Sequence, residues 1–151
     1  METLISRERR STQLDLERVK GLSGFRYALR RFLAASEAIS RGAGVTQQQY
    51  QVLLAIAACE GGVMSMRDLA EQLLLTPHAA VQMIDRLSSA DLAQRTPSTE
   101  DRRVVLVTLT AKGAALVNDL AGRHLTEVLR QEPQLRRSLN QLKRLSGLPD
   151  D

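Results

Sequence analysis

One stretch of this chain constrains its fold more than any other: an irregular polar loop that runs directly into an apolar, β-branched segment. The loop covers residues 96–103 and carries the tip Asp101-Arg102-Arg103, and residues 104–110 that follow are rich in valine, leucine and threonine. β-Branched residues favour strands, and a polar segment containing proline is typical of a turn. We therefore predict a β-hairpin that pairs 92–96 with 103–109 and exposes guanidinium groups on the 97–102 loop.

The remainder of the chain is predicted to be helical. Apolar residues recur at spacings of three and four over 12–41, which indicates a long amphipathic helix that ends at Gly42 and Gly44. A capping box at Thr46 and Gln49 predicts a second helix to about Cys59. We also expect a short strand at 63–64, a third helix over 66–73, a fourth from 77 to about 89, a fifth over 111–130 and a shorter sixth from Pro133.

Length and composition favour one globular domain over residues 1–151, with a core of Leu, Val, Ile, Ala and Met because there are few aromatic residues. One cysteine cannot form an internal disulfide framework, no apolar run is long enough for a membrane helix, and the charged N-terminus lacks a signal's apolar core. We therefore expect a cytoplasmic protein with no membrane partner.

The net charge of +4 suggests a polyanionic partner, but the charge is unevenly distributed. Residues 45–109 contain five basic and seven acidic side chains, a net charge of −2, so the excess positive charge lies near the two ends. The central segment is therefore interpreted from its pattern and not from its charge.

The third and fourth helices, joined by a tight turn and followed by the hairpin, form the pattern of a winged helix-turn-helix. Such proteins place the start of the second helix in the major groove of DNA, and an arginine at a loop tip can enter the minor groove. The predicted DNA-binding residues are Thr76, Pro77, His78, Val81, Gln82, Arg86, Arg102 and Arg103. Asp101 is predicted to pair with Arg103 and brace the wing, which leaves Arg102 free for phosphate.

These motifs resemble the MarR family of bacterial transcriptional regulators over roughly residues 12–145. The Asp-x-Arg of 101–103, followed by Leu109, Thr110 and Gly113, is the most specific part of the resemblance. The other matching runs are 49–53, 65–70 and 83–87. One departure is Leu74, which stands where such turns often have glycine, so we expect a turn that is not left-handed or is slightly strained.

The resemblance implies a mainly α fold with a small β-hairpin, a DNA-binding lobe at about 46–109, and long dimerisation helices at about 12–44 and 111–147. It implies a homodimer that reads double-stranded DNA at a pseudo-palindromic operator. Many family members are repressors released by small aromatic or lipophilic effectors. For Phe25, Phe32 and Tyr50 the expectation is core or dimer packing, and a ligand pocket is the alternative by analogy with the family.

Other classes of function find less support in the sequence. No catalytic motif and no metal-ligand spacing is found, neither His78 nor His124 has an expected partner, and we predict no enzyme, cofactor or metal site. Cys59 is expected to fill space in the core, with a redox switch as the alternative. A winged-helix module that binds protein instead of DNA is the second functional hypothesis, because residues 45–109 are net acidic.

Overall fold

The computed structural model describes residues 14–147, which form five helices and three strands. In chain order these are α1 (Leu16–Gly42), α2 (Gln47–Ala58), β1 (Val63–Ser65), α3 (Met66–Gln72), α4 (Pro77–Ser89), β2 (Ala93–Pro97), β3 (Val105–Leu109) and α5 (Ala111–Ser146). A short 3₁₀ turn, Glu60–Gly62, precedes β1. The predicted mainly α fold with a hairpin is confirmed, although residues 12 and 13 of the predicted first helix lie outside the described residues.

The strands form one antiparallel sheet in the order β1-β3-β2. Val107, at the centre of β3, faces Met64 on one side and Arg95 on the other, and its side chain is buried. The hairpin is therefore present as predicted, and the short strand expected at 63–64 adds its third strand. The wing loop between β2 and β3 is closed by two backbone bonds, from Ser98 N to the Val104 carbonyl and from Val104 N to the Asp101 carbonyl, each 2.9 Å.

The helix starts follow the predicted caps. Thr46 Oγ1 accepts a bond from Gln49 N at 3.1 Å, and Gln49 Oε1 accepts one from Thr46 N at 2.9 Å, which completes the capping box. Thr76 Oγ1 caps α4 by accepting from Ala79 N at 3.1 Å, and Pro77 occupies the first helical position, where its missing N–H is not needed.

The turn between α3 and α4 contains a leucine in the left-handed region. Leu74 has a φ of 54° and a side chain that is 93% exposed. Leu74 N bonds the Glu71 carbonyl at 3.2 Å and Leu75 N bonds the Ala70 carbonyl at 2.9 Å, which is the Schellman arrangement that glycine usually completes. Of the two alternatives for this turn, the strained one is therefore correct.

α5 is continuous where the sequence predicted two helices. It runs through Pro133, so the predicted break before that residue was wrong. Proline removes one bond, to the Leu129 carbonyl, but Leu129 is exposed and water can solvate the freed oxygen. The spacing of Leu125, Val128, Leu135, Leu139 and Leu142 continues in phase across the proline, so one helix keeps a single apolar stripe.

The described chain divides into two compact units, a central unit, Ala35–Glu127, and a terminal unit of residues 14–34 with 128–147. The central unit contains the sheet, α2, α3 and α4 around a well-buried apolar core. Each large aliphatic side chain buried there stabilises the fold by about 1.5–3 kcal/mol. The largest fully buried ones are Leu53, Ile56, Leu69, Ile84, Leu87, Val107 and Leu120.

The start of α5 is fastened to the turn that follows α4, residues 90–92. Thr110 N donates to the Leu92 carbonyl at 3.1 Å, Thr110 Oγ1 donates to the Asp91 carbonyl at 2.7 Å, and Lys112 Nζ donates to the Ala90 carbonyl at 3.1 Å. Gly113 lies so close to Leu92 that an added Cβ would overlap the Leu92 carbonyl group. This contact accounts for the glycine of the Leu-Thr-x-x-Gly motif.

In the terminal unit, Gly21 packs closely against Leu142 and Leu145, whereas many large apolar side chains are exposed to solvent. The exposed ones include Leu16, Val19, Leu22, Leu29, Leu33, Leu129 and Leu139. No helix within residues 14–147 combines the length and apolar content that crossing a membrane requires.

Candidate nucleic-acid interface

The first half of α4 exposes the polar residues that were predicted to contact DNA. His78, Gln82 and Arg86 are exposed, whereas Ala80 and Ile84 on the opposite side are buried in the core. One face of α4 therefore packs on the core, and the opposite face is exposed to solvent. None of the three exposed side chains makes a hydrogen bond to a residue within 14–147.

Val81 has a different environment from these three residues. It is half-buried and lines an apolar groove of about 820 Å³ with Pro77 from α4 and with Val104 and Val105 at the base of the wing. The Leu74-Leu75 turn and the start of α3 complete the groove. α4, the predicted recognition helix, and the base of the wing thus border one continuous depression in the central unit.

At the wing tip, Asp101 holds Arg103 through both carboxylate oxygens. Arg103 Nε donates to Oδ1 and Nη2 donates to Oδ2, each at 3.1 Å, and the Arg103 backbone N donates to Oδ1 at 3.0 Å. The hydrogen bonds from the Arg103 side chain lower the pKa of Asp101 most, and the bond from the Arg103 backbone N lowers it further. The carboxylate therefore stays ionised and fixes the loop, and the predicted pairing is present.

The two arginines of the tip differ in their partners. Arg103 is ion-paired yet 89% exposed, so its remaining donors can still reach a phosphate. Arg102 is exposed and forms no ion pair with the residues that the structure describes. Each guanidinium is thus exposed, the one of Arg103 held by Asp101 and the one of Arg102 without an ion pair among the described residues.

A further contact, which the sequence did not reveal, joins the wing to the recognition helix. Arg95 on β2 donates from Nη2 to the Val81 carbonyl at 3.2 Å and to the Asp85 carboxylate, both on α4. Arg95 and Asp85 are ten residues apart, so no helical or strand spacing relates them. Only the packing of β2 against α4 brings the pair together.

Charge is divided between the units. The central unit contains eight Lys and Arg against ten Asp and Glu, a net charge of −2, whereas residues 14–34 and 128–147 contain ten basic against three acidic side chains. Positive charge at the candidate interface is therefore local, at Arg86 and the wing tip, and not a property of the whole central unit.

His124 has partners, contrary to the sequence-based expectation. Its ring is buried and stacks on Tyr50, with ring centroids 4.2 Å apart and planes at 10°. Nδ1 lies 3.0 Å from Ser36 Oγ and Nε2 lies 3.3 Å from Ser40 Oγ. The prediction failed because the partners are distant in sequence: Tyr50, the nearest of them, lies 74 residues from His124, and Ser40 and Ser36 lie farther away.

Gln47 completes this polar cluster. Its Nε2 donates to Ser36 Oγ at 2.8 Å, and its Oε1 accepts from Ser40 Oγ at 2.9 Å. Desolvation lowers the pKa of His124 and raises that of Tyr50, so both rings stay neutral at pH 7. The cluster joins α1, α2 and α5 within the central unit.

Three predicted positions lie outside the interface. Phe25 and Phe32 are half-buried in the terminal unit, and Tyr50 is buried in the central unit, so the ligand pocket remains a prediction. Cys59 is half-buried and packs against the central core, as a space-filling role requires.

Comparison with known proteins confirms the family resemblance. The family model described as "MarR family" matches residues 43–104. The HTH-type transcriptional repressor MdtR of Bacillus subtilis is 37% identical over 81 residues, which is 53% of this chain and 51% of MdtR. The chain thus spans about half the length of the curated relatives it matches.

Solved structures share the fold. AbsC, a MarR family transcriptional regulator from Streptomyces coelicolor, superposes with a TM-score of 0.75 at 24% identity, covering 88% of this chain and 90% of AbsC. NadR in complex with 4-hydroxyphenylacetate gives 0.65 at 26% identity, covering 82% and 87% of the two chains. A mutant form of MarR from E. coli, complexed with operator DNA, gives 0.53 at 25% identity, covering 74% and 90%.

Proposed function

We propose that the protein is a sequence-specific DNA-binding transcriptional regulator, because residues 43–104 match the MarR family model and β3 completes a winged helix-turn-helix just beyond them. It acts as a homodimer on a pseudo-palindromic operator, represses transcription, and is released by a small aromatic or lipophilic effector. The protein is not an enzyme in this proposal, and the proteins it resembles are named as regulators.

One observation carries the DNA-binding part of the proposal. Pro77 and Val81 of α4 line the same groove as Arg103 of the braced wing tip, so a duplex can meet α4 and the wing at once. Gln82 can form paired hydrogen bonds to an adenine edge, and His78 can reach a base edge or a phosphate. Arg102 and Arg103 extend from the hairpin, where an adjacent minor groove would pass.

The exposed apolar residues of the terminal unit support a dimer. Exposed leucines spaced along a helix are stabilised when a partner surface buries them. A second copy of the chain presents the same apolar residues, so two copies can bury them against each other. A two-fold dimer presents two α4 helices and two wings, which match two half-sites in inverted orientation.

The names of similar proteins support repression and release by an effector. MdtR is named a repressor, and NadR was solved with 4-hydroxyphenylacetate, an aromatic carboxylic acid. We propose an effector of this chemical class and, as its candidate contacts, Phe25, Phe32 and Tyr50.

The competing proposal is a winged-helix module that binds a protein. The net charge of −2 on the central unit favours it, because an acidic surface repels a polyanion. The two proposals differ in salt dependence, since DNA binding that displaces counterions from several phosphates weakens steeply as salt rises.

The decisive experiment selects duplexes from a random-sequence pool with the purified full-length chain. We expect enrichment of one inverted repeat, whose affinity falls steeply between low and moderate salt. Gln82→Ala should relax the base preference at one position of each half-site, and Arg102→Ala should lower the salt slope without changing the preferred sequence. Arg41→Ala, which removes an exposed arginine on α1, is the matched control and should change neither property.

No enrichment over the starting pool would refute specific DNA binding. A protein ligand whose binding is insensitive to salt would then favour the interaction module.

A further inference from the structure

We propose that Arg95 is a positioning residue for DNA recognition, which fixes the wing relative to the recognition helix. It touches neither base nor phosphate in this role and acts through β2 and α4. The inference rests on the proposed function and names a determinant of specificity that the DNA-contacting residues do not include.

The geometry of the Arg95 contacts supports this role. One guanidinium nitrogen donates to the Val81 carbonyl and to the Asp85 carboxylate, which are four residues apart and so one turn apart on α4. The Val81 carbonyl points along the helix toward Asp85, so both acceptors converge on one guanidinium nitrogen and hold one point of α4 against β2. Arg95 lies in the middle of β2, three residues before the wing loop begins at Ser98, so β2 transmits this restraint to the wing tip.

The other ion pairs described in the central unit cannot do this. Four of them join residues two or four positions apart in the chain: Arg41 with Glu37, Arg67 with Glu71, Arg103 with Asp101, and Arg123 with Asp119. The Arg95 side chain is 36% exposed, against 86% for Arg67 and 89% for Arg103, although its partner Asp85 is 60% exposed. What distinguishes this ion pair is therefore that it joins two separate elements, and not its burial.

The ion pair of Arg95 with Asp85, called the bridge below, also neutralises a negative charge next to the residues proposed to contact DNA. Asp85 directly precedes Arg86 and follows Gln82 by three positions on α4. An unpaired carboxylate there would repel the DNA backbone, and Arg95 neutralises it. Loss of Arg95 therefore frees the wing and exposes a negative charge beside the recognition surface.

The test uses the full-length chain and the duplex that the wild-type protein selects from a random pool. Protection of guanine N7 from methylation reports α4 in the major groove, and protection from hydroxyl-radical cleavage reports the wing in the minor groove. For Arg95→Met we expect affinity for the selected duplex to fall about tenfold, a typical coupling between contacting residues, while affinity for random-sequence DNA falls less. Major-groove protection should persist at saturation while wing protection fades or shifts.

Asp85→Asn separates positioning from simple electrostatics. The Asp85 side chain is 60% exposed, so we expect Asp85→Asn to fold. This variant therefore still tests the ion pair if Arg95→Met does not fold. A positioning role predicts a loss of wing protection although a negative charge has been removed. Arg123→Met, which breaks an exposed ion pair on α5, is the matched control and should leave both protections unchanged.

Three outcomes would overturn the inference while the proposed function stands. If Arg95→Met lowers the salt slope by about one, then Arg95 contacts a phosphate itself. If Asp85→Asn binds all duplexes more tightly and keeps its wing protection, then Asp85 acts through its charge alone. If both variants bind and protect like the wild type, then the bridge has no role. If the wild-type chain selects no sequence, the proposed function falls and this inference falls with it.

Discussion

The imidazole of His124 lies flat against the phenol ring of Tyr50, with 4.2 Å between the ring centroids. Stacking occupies the ring face and leaves the ring edge open, where each nitrogen meets a serine hydroxyl of α1. Within residues 14–147 no buried side-chain nitrogen or oxygen lacks a hydrogen-bond partner. A buried polar cluster of this kind adds stability only while every member keeps its partner.

His124 should make the stability of the protein depend on pH. Burial lowers its pKa below the ordinary value of 6.5, so the unfolded chain binds a proton more readily than the folded chain. The free energy of unfolding should be constant well above pH 6.5 and should decrease as the pH falls through that value, by at most about 1.4 kcal/mol per pH unit for one proton. Thermal melts between pH 8 and about pH 5.5 measure this slope.

His124→Gln removes the titrating ring and should flatten this slope. A wild-type slope in that variant would contradict a role for His124 in the pH dependence.

Gly113→Ala should destabilise the central unit. The new methyl group would overlap the Leu92 carbonyl, which is backbone and cannot rotate away, so we expect a loss of about 1–3 kcal/mol or more. Urea denaturation measures the loss. Gly122→Ala, on the same helix with nothing within 4 Å, should instead gain up to about 1 kcal/mol from helix propensity.

Leu74→Gly should stabilise the protein. A left-handed conformation costs a residue with a Cβ about 1–2 kcal/mol, and the exposed Leu74 side chain has little packing to lose. Because glycine also loses more backbone entropy on folding, we expect a net gain of at most about 1 kcal/mol in chemical denaturation. Leu74→Ala keeps the Cβ and should show no gain, and a gain equal to that of glycine would attribute the effect to the exposed side chain.

Asp101→Asn should weaken DNA binding even though it removes a negative charge near the phosphates. The substitution loosens the wing because an amide cannot accept bonds from Arg103 through both of its terminal atoms. We expect the affinity for a selected duplex to fall about two- to tenfold in a titration at fixed salt. Glu100→Gln removes the same charge one residue earlier and should bind slightly more tightly, so equal affinities in the two variants would refute the bracing role.

Local signals in the sequence account for most of the fold. The caps at Thr46, Thr76 and Thr110 act within three residues, and the β-branched run of β3 favours a strand by itself, so these elements were predictable. Pro133 led to the wrong prediction of a helix break. The free-energy cost of one proline in a helix is local, whereas the apolar stripe that outweighs this cost extends over several turns of α5.

The candidate site was predictable only in part, for the same reason. Asp101 and Arg103 are two residues apart, and their pairing follows from the loop alone. The contact between Arg95 and Asp85, and the contacts of His124 with Ser36 and Tyr50, depend on how separate elements pack. No periodicity in the chain relates those partners.

The side chains that face outward from α4 contribute nothing to holding it in place. The side chains of His78, Gln82 and Arg86 make no hydrogen bond within residues 14–147. Thr76 instead caps the helix, Ala80 and Ile84 anchor it, and Asp85 ties it to the sheet. On the proposed function, the residues that contact DNA and the residues that hold the helix therefore occupy different positions of α4. Substitutions at the exposed positions should then change the preferred DNA sequence at little cost in folding stability.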